Sequence, residues 1–501
     1  MNNKQFSTNL NSLVRQLNKA PKDFTKKDII QFIENNDIKI LNFRYVGGDG
    51  RLKSLNFVIT DIDYLDQILS HGERIDGSSL FSFIEAGSSD LYVIPKFRTA
   101  FLDPFAELPT LCLLCSYYTK DGKPLEISPE YILKKAAKSF KEVTGMEFQA
   151  MGELEYYVIR DKEELFLATD QKGYHEAAPF VKFEDFRMEV MYLIAQAGCM
   201  VKYGHSEVGN FTMDNKFYEQ NEIEFLVTDV EDAANQLIIS KWIIRKLAYQ
   251  YGLDVTFAPK ITVGKAGSGM HIHTCIMKDG INCMVTDGKL NDTAKTAIAG
   301  YIQCAPSLTA FGNKNPTSYF RLVPHQEAPT TICWGDRNRS VLVRVPLGWT
   351  AKTDMVAQEN TLEKPVEIDG AKKQTVEFRC PDGSADVYLL LAGLTVAARS
   401  GFEMKDALEL AEKTYVNVNI FHEEHKDKVK SLNSLPDSCW ESAEMLEKQR
   451  EIYERYGVFP AHIIEGIIKD LKKFNDKDIR KELQANPDKM MELVLKYYHC
   501  G

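Results

Sequence analysis

Two pairs of metal-competent side chains, Glu153-Leu154-Glu155 and His271-Ile272-His273, each stand two residues apart inside strand-like runs. Alternate residues of a strand share a face, so each pair points both polar heads to one side. The neighbouring apolar residues, Met151, Tyr156 and Val158 in one run and Met270, Ile272 and Ile276 in the other, are expected to make the strands' remaining contacts. Four such groups converging on one cavity suit a hard divalent cation beside a phosphate, whereas a single pair does not.

The chain's 501 residues are enough to bury a large core and to form more than one domain. A net charge of −10 argues against general nucleic-acid binding while leaving room for a local basic pocket. Of the cysteines only Cys112 and Cys115 show C-x-x-C spacing. With no second pair to complete a zinc site, they read as buried, reduced thiols. No secretory signal follows Met1, and no apolar run is long enough to span a bilayer, so a cytoplasmic protein with no membrane partner is expected.

Periodicity predicts an opening helix (Leu10, Leu13, Val14, Leu17) and then two strands within 38–60 flanking the hairpin signal Gly47-Gly48-Asp49-Gly50. Strands follow at 91–94 and 111–118, the second closed by the turn Lys120-Asp121-Gly122-Lys123. From Pro129 a helix through Ile132, Ala136 and Phe140 precedes the Glu153 strand. Helices are expected at 183–197, 230–251, 294–311 and 387–398, with strands at 223–227, 255–262, 270–277, 341–345 and 376–379. Beyond residue 437 the pattern is nearly all helical. The expected fold is α+β, with a small β domain over 1–125 and a large domain over 126–501 built on a curved antiparallel sheet flanked by helices.

Charged or imidazole groups interrupt the apolar grammar at Asp76, Glu153/Glu155, His205/Glu207, Glu222, His271/His273, Arg339/Arg344 and Glu377/Arg379. A buried, ionised carboxylate costs several kcal/mol or more unless it is paired. An oxygen-dominated set with few imidazoles favours Mg²⁺ or Mn²⁺ over zinc. Taken alone, Glu-x-Glu also fits a solvated edge and His-x-His a hydrogen-bonded core. Gly267-Ser268-Gly269 after a strand lets backbone approach a ligand, or is simply a tight connection, and Gly264-Lys265-Ala266 lacks the features of a Walker A loop. Arg321, Arg337, Arg339, Arg344 and Arg379 supply forked donors for carboxylates and phosphates, the alternative being a surface salt-bridge ladder.

From about residue 38 to the end, the chain resembles the type I glutamine synthetases. The resemblance rests on Asp76-Gly77-Ser78-Ser79, Gly152-Glu153-Leu154-Glu155, His205-Ser206-Glu207-Val208, Gln220-Asn221-Glu222, Gly267 to His273, Arg321-Leu322-Val323-Pro324 with Glu327-Ala328-Pro329, Arg337 to Ser340 and Glu377-Phe378-Arg379. It implies a β-grasp-like amino-terminal domain and an ATP-dependent ligase that forms glutamine from L-glutamate and ammonia through a γ-glutamyl phosphate. Two or three Mg²⁺ or Mn²⁺ ions per site are implied. Glu155, Glu207 and Glu222 would hold one, and Glu153, His271 and Glu377 another. His205, His273 and Arg344 would face the nucleotide. Gly267, Arg321 and Arg379 would bind glutamate and Arg339 the moving phosphate. Asp76 would bind ammonium and take its proton, and Glu327 would cover the intermediate. The family's assembly implies a dodecamer of two stacked hexameric rings with shared sites, in which Asp76 serves the adjacent subunit and the stretch 490–498 threads between rings.

Departures from the pattern accompany the match. Ala266 stands where an asparagine is common and Thr375 where an arginine often meets the nucleotide. The stretches 208–221 and 347–374 are long and read as added loops. Asn419-Ile420-Phe421 lacks the tyrosine hydroxyl that adenylylation needs, and His422-Glu423-Glu424-His425 reads as a solvated charged face. Ala266 keeps a relative that uses an organic amine in view as an alternative, and a non-catalytic relative is a further one.

Overall fold

The computed structural model describes residues 6–81, 83–84, 87, 89–323, 328–348, 353–367, 370, 374–420, 430–483 and 486–501. Two sheets organise it. The first holds β1 (Ile40–Val46), β2 (Leu52–Val58), β3 (Glu73–Asp76), β4 (Asp90–Pro95), β5 (Phe101–Leu102) and β6 (Thr110–Tyr118) in the order β2-β1-β6-β4-β3, with β5 beside β6. The Gly-rich signal closes the antiparallel β1–β2 hairpin as expected, with Gly50 at φ +75° where a side chain is strained. A non-local parallel pairing of β1 with β6 completes the small domain's core. Cys112 and Cys115 are free and buried in β6, and burial pushes the Cys112 thiol up to about 11, as expected of an unreactive core cysteine.

The second sheet carries β7 (Glu147–Asp161), β8 (Val201–Met213), β9 (Lys216–Phe225), β10 (Thr228–Asp229), β11 (Asp254–Thr256), β12 (Met270–Lys278) and β13 (Ile281–Asn282). After the small hairpin β14 (Val285–Thr286) and β15 (Lys289–Leu290), β16 (Trp334–Asp336), β17 (Val343–Val345) and β18 (Val376–Phe378) return to it. The order is β16-β17-β18-β12-β7-β9-β8, with antiparallel pairing throughout except for β16–β17. The architecture is therefore α+β, a β-grasp sheet joined to a helix-flanked mixed sheet.

Helices pack on one face of the large sheet. Val230–Tyr251 matches its expected bounds and ends where Gly252 turns left-handed at φ +65°. Its Leu237 lies so close to Gly152 of β7 that a Cβ there would meet it at 2.7 Å. Helices Asp292–Gly312 and Val387–Glu403, capped by the side chains of Asn291 and Asp386, are buried nearly all round. They cross at Gly300 and Gly401, where backbone meets backbone.

Two expectations need correction. The strand expected over 255–262 stops at Thr256, because Pro259 has no N–H for a ladder and its carbonyl instead accepts from Ser268. The long stretch 208–221 is no loop. It is the β8–β9 hairpin, turned by Asp214 and Asn215, both at positive φ as a type I′ turn requires. The helical stretch 490–498 is anchored on its own chain, where Met490 and Val494 are fully buried in a cluster with Phe320 and Leu483. Arg51 and Arg245 donate to the carbonyls of His499 (2.6 Å) and Cys500 (2.8 Å). Among the described residues no single helix is long and apolar enough to cross a membrane.

At the Gly300–Gly401 crossing, a Cβ on Gly300 would sit 2.0 Å from Ala397 O. Gly300→Ala is expected to destabilise by ~1–3 kcal/mol through overpacking. Gly466→Ala, at a helical position with nothing within 4 Å, is expected to stabilise by ~0.4–1 kcal/mol. Paired thermal melts check both.

Candidate active site

Strand register aligns the polar positions in rows across one face of the large sheet. One row runs His205 on β8, Glu222 on β9 and Glu155 on β7. The next runs Tyr203, Glu224, Glu153 and His271, the last on β12. A third joins His273, Glu377 on β18 and Arg344 on β17. The alternate residues Leu154, Tyr156, Ile223 and Ile272 are fully buried on the opposite face against the helices. Met151 makes the core contacts expected of it and also lines the cavity. Glu207 keeps the face of His205. Between Ser206 and Asn210 the register slips, in a bulge that holds Glu207, Val208 and Gly209.

The rows line a cavity of about 1110 Å³. Within it Glu153, His271 and Glu377 bring one ligand atom each within 4.8 Å of one another, and so do His205, Glu207 and Glu222. A third set, Glu153, Glu224 and His273, meets the same criterion. His271 Nδ1 is 2.9 Å from Glu153 Oε2 and 3.4 Å from Glu377 Oε1. His273 Nε2 is 2.8 Å from Glu153 Oε1, while its Nδ1 is held by the Thr375 hydroxyl at 2.8 Å. Thr375, where an arginine is common, thus orients an imidazole.

Burial opposes ionisation of Glu153, but the His273 charge and the hydrogen bonds from His271 and His273 hold it well below the usual carboxylate range. Glu377 is likewise held low against burial, chiefly by Arg379. Its two oxygens accept from Arg379 Nε at 3.0 Å and Arg344 Nη1 at 2.9 Å. Glu222 goes the other way: burial and the charges of Glu153, Glu155, Glu207 and Glu224 raise it well above the usual range. His205 is lowered, mainly by burial.

Arg321, Arg339, Arg344 and Arg379 all line the cavity. Arg344 Nε is buried without a hydrogen-bond partner among the described residues, as a donor awaiting an anion would be. Arg321 donates to the carbonyls of Cys380 (2.8 Å), Arg379 (3.2 Å) and Pro381 (3.3 Å), which anchors it beneath Gly267 and Gly269. Arg337 does not line the cavity. Nor does Asp76, which is exposed at the end of β3 in the small sheet. Hydrogen bonds from Ser79, Ser78 and Ser89 hold its carboxyl far below the usual range. Glu327, Phe421 and His422 to His425 lie outside the described residues.

Glu155 accepts from Gly269 N at 2.7 Å and Gln220 Nε2 at 2.9 Å, so one of its oxygens is committed to the protein. Sequence reasoning did not assign Glu224, Gln220, Gln171 or Lys202 to the site. Glu224 carried a legible signal, since Glu222-x-Glu224 repeats the alternation of Glu153-x-Glu155. Its charge is met by Lys202 Nζ at 2.9 Å.

The donor sets suit a hard divalent cation. The expected set Glu153, His271 and Glu377 comes together as a cluster, whereas in the other His205 stands with Glu207 and Glu222 where Glu155 was expected; each offers two carboxylates and one imidazole and no thiolate. The raised proton affinity of Glu222 marks an excess of negative charge that a cation would neutralise.

Residues 126–487 match the family model of the glutamine synthetase catalytic domain, and residues 37–120 match that of its β-grasp domain. A glutamine synthetase of Clostridium saccharobutylicum is 30% identical over 445 residues, 86% of this chain and 91% of that one. The solved glutamine synthetase of Plasmodium falciparum superposes with a TM-score of 0.74 at 19% identity, over 91% of this chain and 97% of that one. A ligand-free GmaS gives 0.72 at 19% identity, over 92% and 100%. At 19% identity these two structures speak to the fold alone.

Glu222 generates a pH prediction. Its proton affinity is higher in the folded chain than the ordinary 4.5, so the stability it contributes is full below that value and is lost as pH rises toward its raised value. In chelator, Glu222→Gln is therefore expected to melt above the parent protein by an amount that grows from about pH 4.5 toward pH 8, reaching ~1–3 kcal/mol. Saturating Mn²⁺ reverses the order, because the variant has lost a ligand. Calorimetry across pH, with and without Mn²⁺, checks both halves.

Proposed function

The chain belongs to the glutamine synthetase family, an ATP-dependent group of ligases whose divalent-metal chemistry suits the site above, and on that premise we propose that it joins ammonia to the γ-carboxylate of L-glutamate through a γ-glutamyl phosphate. The observation that carries the reading is the meeting, in one cavity, of two carboxylate–imidazole clusters with four arginines. Phosphoryl transfer to a carboxylate brings several negative charges together, and such a site balances them.

Glu153, His271 and Glu377 would hold one Mg²⁺ or Mn²⁺, and Glu207 and Glu222 a second, with Glu155 or His205 completing it. When bound, these ions supply Lewis-acid charge to the phosphate oxygens. Arg321, Arg379 and the backbone at Gly267 would hold glutamate. Arg339 would meet the transferring phosphoryl group, and His205, His273 and Arg344 would face the nucleotide. Arg344 and Arg379 reach their places through Glu377, which fixes one nitrogen of each, while Arg379 Nη1 is held by the Arg339 carbonyl. Glu327 would cover the acyl phosphate, which hydrolyses unless water is kept out.

Asp76 supports ammonia over a bulkier amine. A small carboxylate ringed by serine hydroxyls suits a compact cation, and its depressed proton affinity suits binding ammonium better than removing its proton. Its exposure away from the cavity accords with a type I assembly of twelve subunits in two rings, in which Asp76 completes a neighbour's site. The same reading keeps 1–125 as the β-grasp domain and 126–501 as the catalytic domain, in a cytoplasmic enzyme.

Two experiments test this. Supplied with ATP, Mg²⁺ and glutamate, the protein is expected to release phosphate and form glutamine with ammonium. Turnover only with methylamine, putrescine or ethanolamine moves the assignment to an organic-amine ligase, and none with any amine overturns both. For the shared site, Asp76→Asn and Arg339→Ala subunits, each inactive alone, are expected to regain activity when dissociated and reassembled together. About one site in four then unites both intact residues. No recovery in verified mixed oligomers refutes sharing.

A further inference from the structure

Gln220 lies on β9, two residues before Glu222 and on the same face, and is 2% exposed. Its Nε2 is 2.9 Å from Glu155 Oε2, 3.1 Å from Gly267 O and 3.4 Å from Ser268 Oγ. Its Oε1 accepts from Gly209 N at 3.1 Å. One amide therefore touches a carboxylate of the cation site, the carbonyl of the glycine loop and the bulge that holds Glu207. A primary amide offers two N–H donors and a carbonyl, so the two shorter contacts use both donors and the Gly209 bond engages the carbonyl. Gly209 is packed against it so closely that a Cβ there would meet Gln220 Oε1 at 2.6 Å and the Tyr157 hydroxyl at 2.0 Å.

We propose that Gln220 is a positioning residue that couples cation binding to amino-acid binding. The inference rests on the reading above that glutamate binds beside the Gly267 loop. Glu155 Oε2 accepts from both Gln220 Nε2 and Gly269 N, which fixes the carboxylate and would leave its other oxygen to a cation. The same amide nitrogen holds Gly267 O, so the orientation of the carboxylate and the position of the loop are set by one group. When a cation pulls on Glu155, the loop is drawn with it. When glutamate orders the loop, the carboxylate is steadied for the cation. Reciprocity of this kind is required of any coupling between two bound ligands. Hydrogen bonds that orient a ligating carboxylate commonly carry a 10–100-fold effect on metal affinity.

The Tyr157 hydroxyl supplies the contrast, since it donates to Ala266 O at 2.8 Å and so holds the loop by a bond that does not touch the Glu155 carboxylate. The test compares the parent protein with Gln220→Met, which keeps the shape without the amide, Gln220→Glu, which sets a carboxylate against Glu155 and Gly267 O, and Tyr157→Phe. Mn²⁺ affinity is read from the free-ion paramagnetic resonance signal, and the KM values for glutamate and ATP are measured over a range of Mn²⁺ concentrations. Both Gln220 variants are expected to bind Mn²⁺ ~10–100-fold more weakly. They are expected to raise KM for glutamate ~10-fold, to leave KM for ATP within about twofold, and to lose the dependence of glutamate KM on Mn²⁺. Tyr157→Phe is expected to raise glutamate KM while keeping parental Mn²⁺ affinity and that dependence. Parental Mn²⁺ affinity in Gln220→Met, or equal rises in both KM values, overturns the proposal. If Gln220→Met does not fold, Gln220→Glu is held to the same criteria. If the parent protein shows no turnover with glutamate, the functional reading falls, and the Mn²⁺ titration by itself decides whether Gln220 orients Glu155.

Discussion

Like charges set opposite one another across a sheet are the constraint from which the rest of this structure follows. Directly opposed carboxylates on neighbouring strands repel, yet the β7–β9 register pairs Glu155 with Glu222 and Glu153 with Glu224. Half of that repulsion is answered within the protein. His271 and His273 flank Glu153, Arg344 and Arg379 bracket Glu377, and Lys202 meets Glu224. Glu207 and Glu222 meet His205, whose imidazole burial biases toward its neutral form. There a proton is retained on Glu222 far above the ordinary range, until something better placed neutralises the site. The fold can hold this face together because the opposite face packs into a continuous buried core beneath the helices.

Geometry and chemistry are joined at a few points. Glu377 organises two arginines through one carboxylate, so the cation side of the cavity and the anion-binding side share a residue. The bulge in β8 begins after Ser206, so Glu207 keeps the face of His205 and joins it in one cluster with Glu222. The glycine loop is tied down from four directions: Tyr157 to Ala266 O, Gln171 to Ala266 N, Gln220 to Gly267 O and Pro259 O to Ser268 N. Ala266, which departs from the family's usual asparagine, thus keeps its backbone position although its side chain offers no polar contact.

Part of this was legible from residue order. Alternation placed Glu153 with Glu155 and His271 with His273 on common faces, and period-3.6 patterning with a closing glycine gave the bounds of the helix Val230–Tyr251. Other features were hidden for definite reasons. β8 carries few apolar residues because much of it faces the cavity, so Val201–Met213 has no strand-like hydrophobic signal. The run 255–262 looks like a strand, yet Pro259 and the needs of the Ser268 turn remove it from the ladder. Thr375 has little meaning in sequence until β18 brings it to His273.

Residue order alone determined which atoms are available and which face of each strand they occupy, because side-chain alternation is a local property of an extended backbone. Tertiary structure decided which residues stand opposite one another. His271 meets Glu153 across 118 residues of chain, and a slip of one position would turn either strand's ligands into the core. That register is favoured by burial of the far face and by the Gly152–Leu237 contact. These are long-range packing events, and they leave no mark on the local pattern of the strands they align.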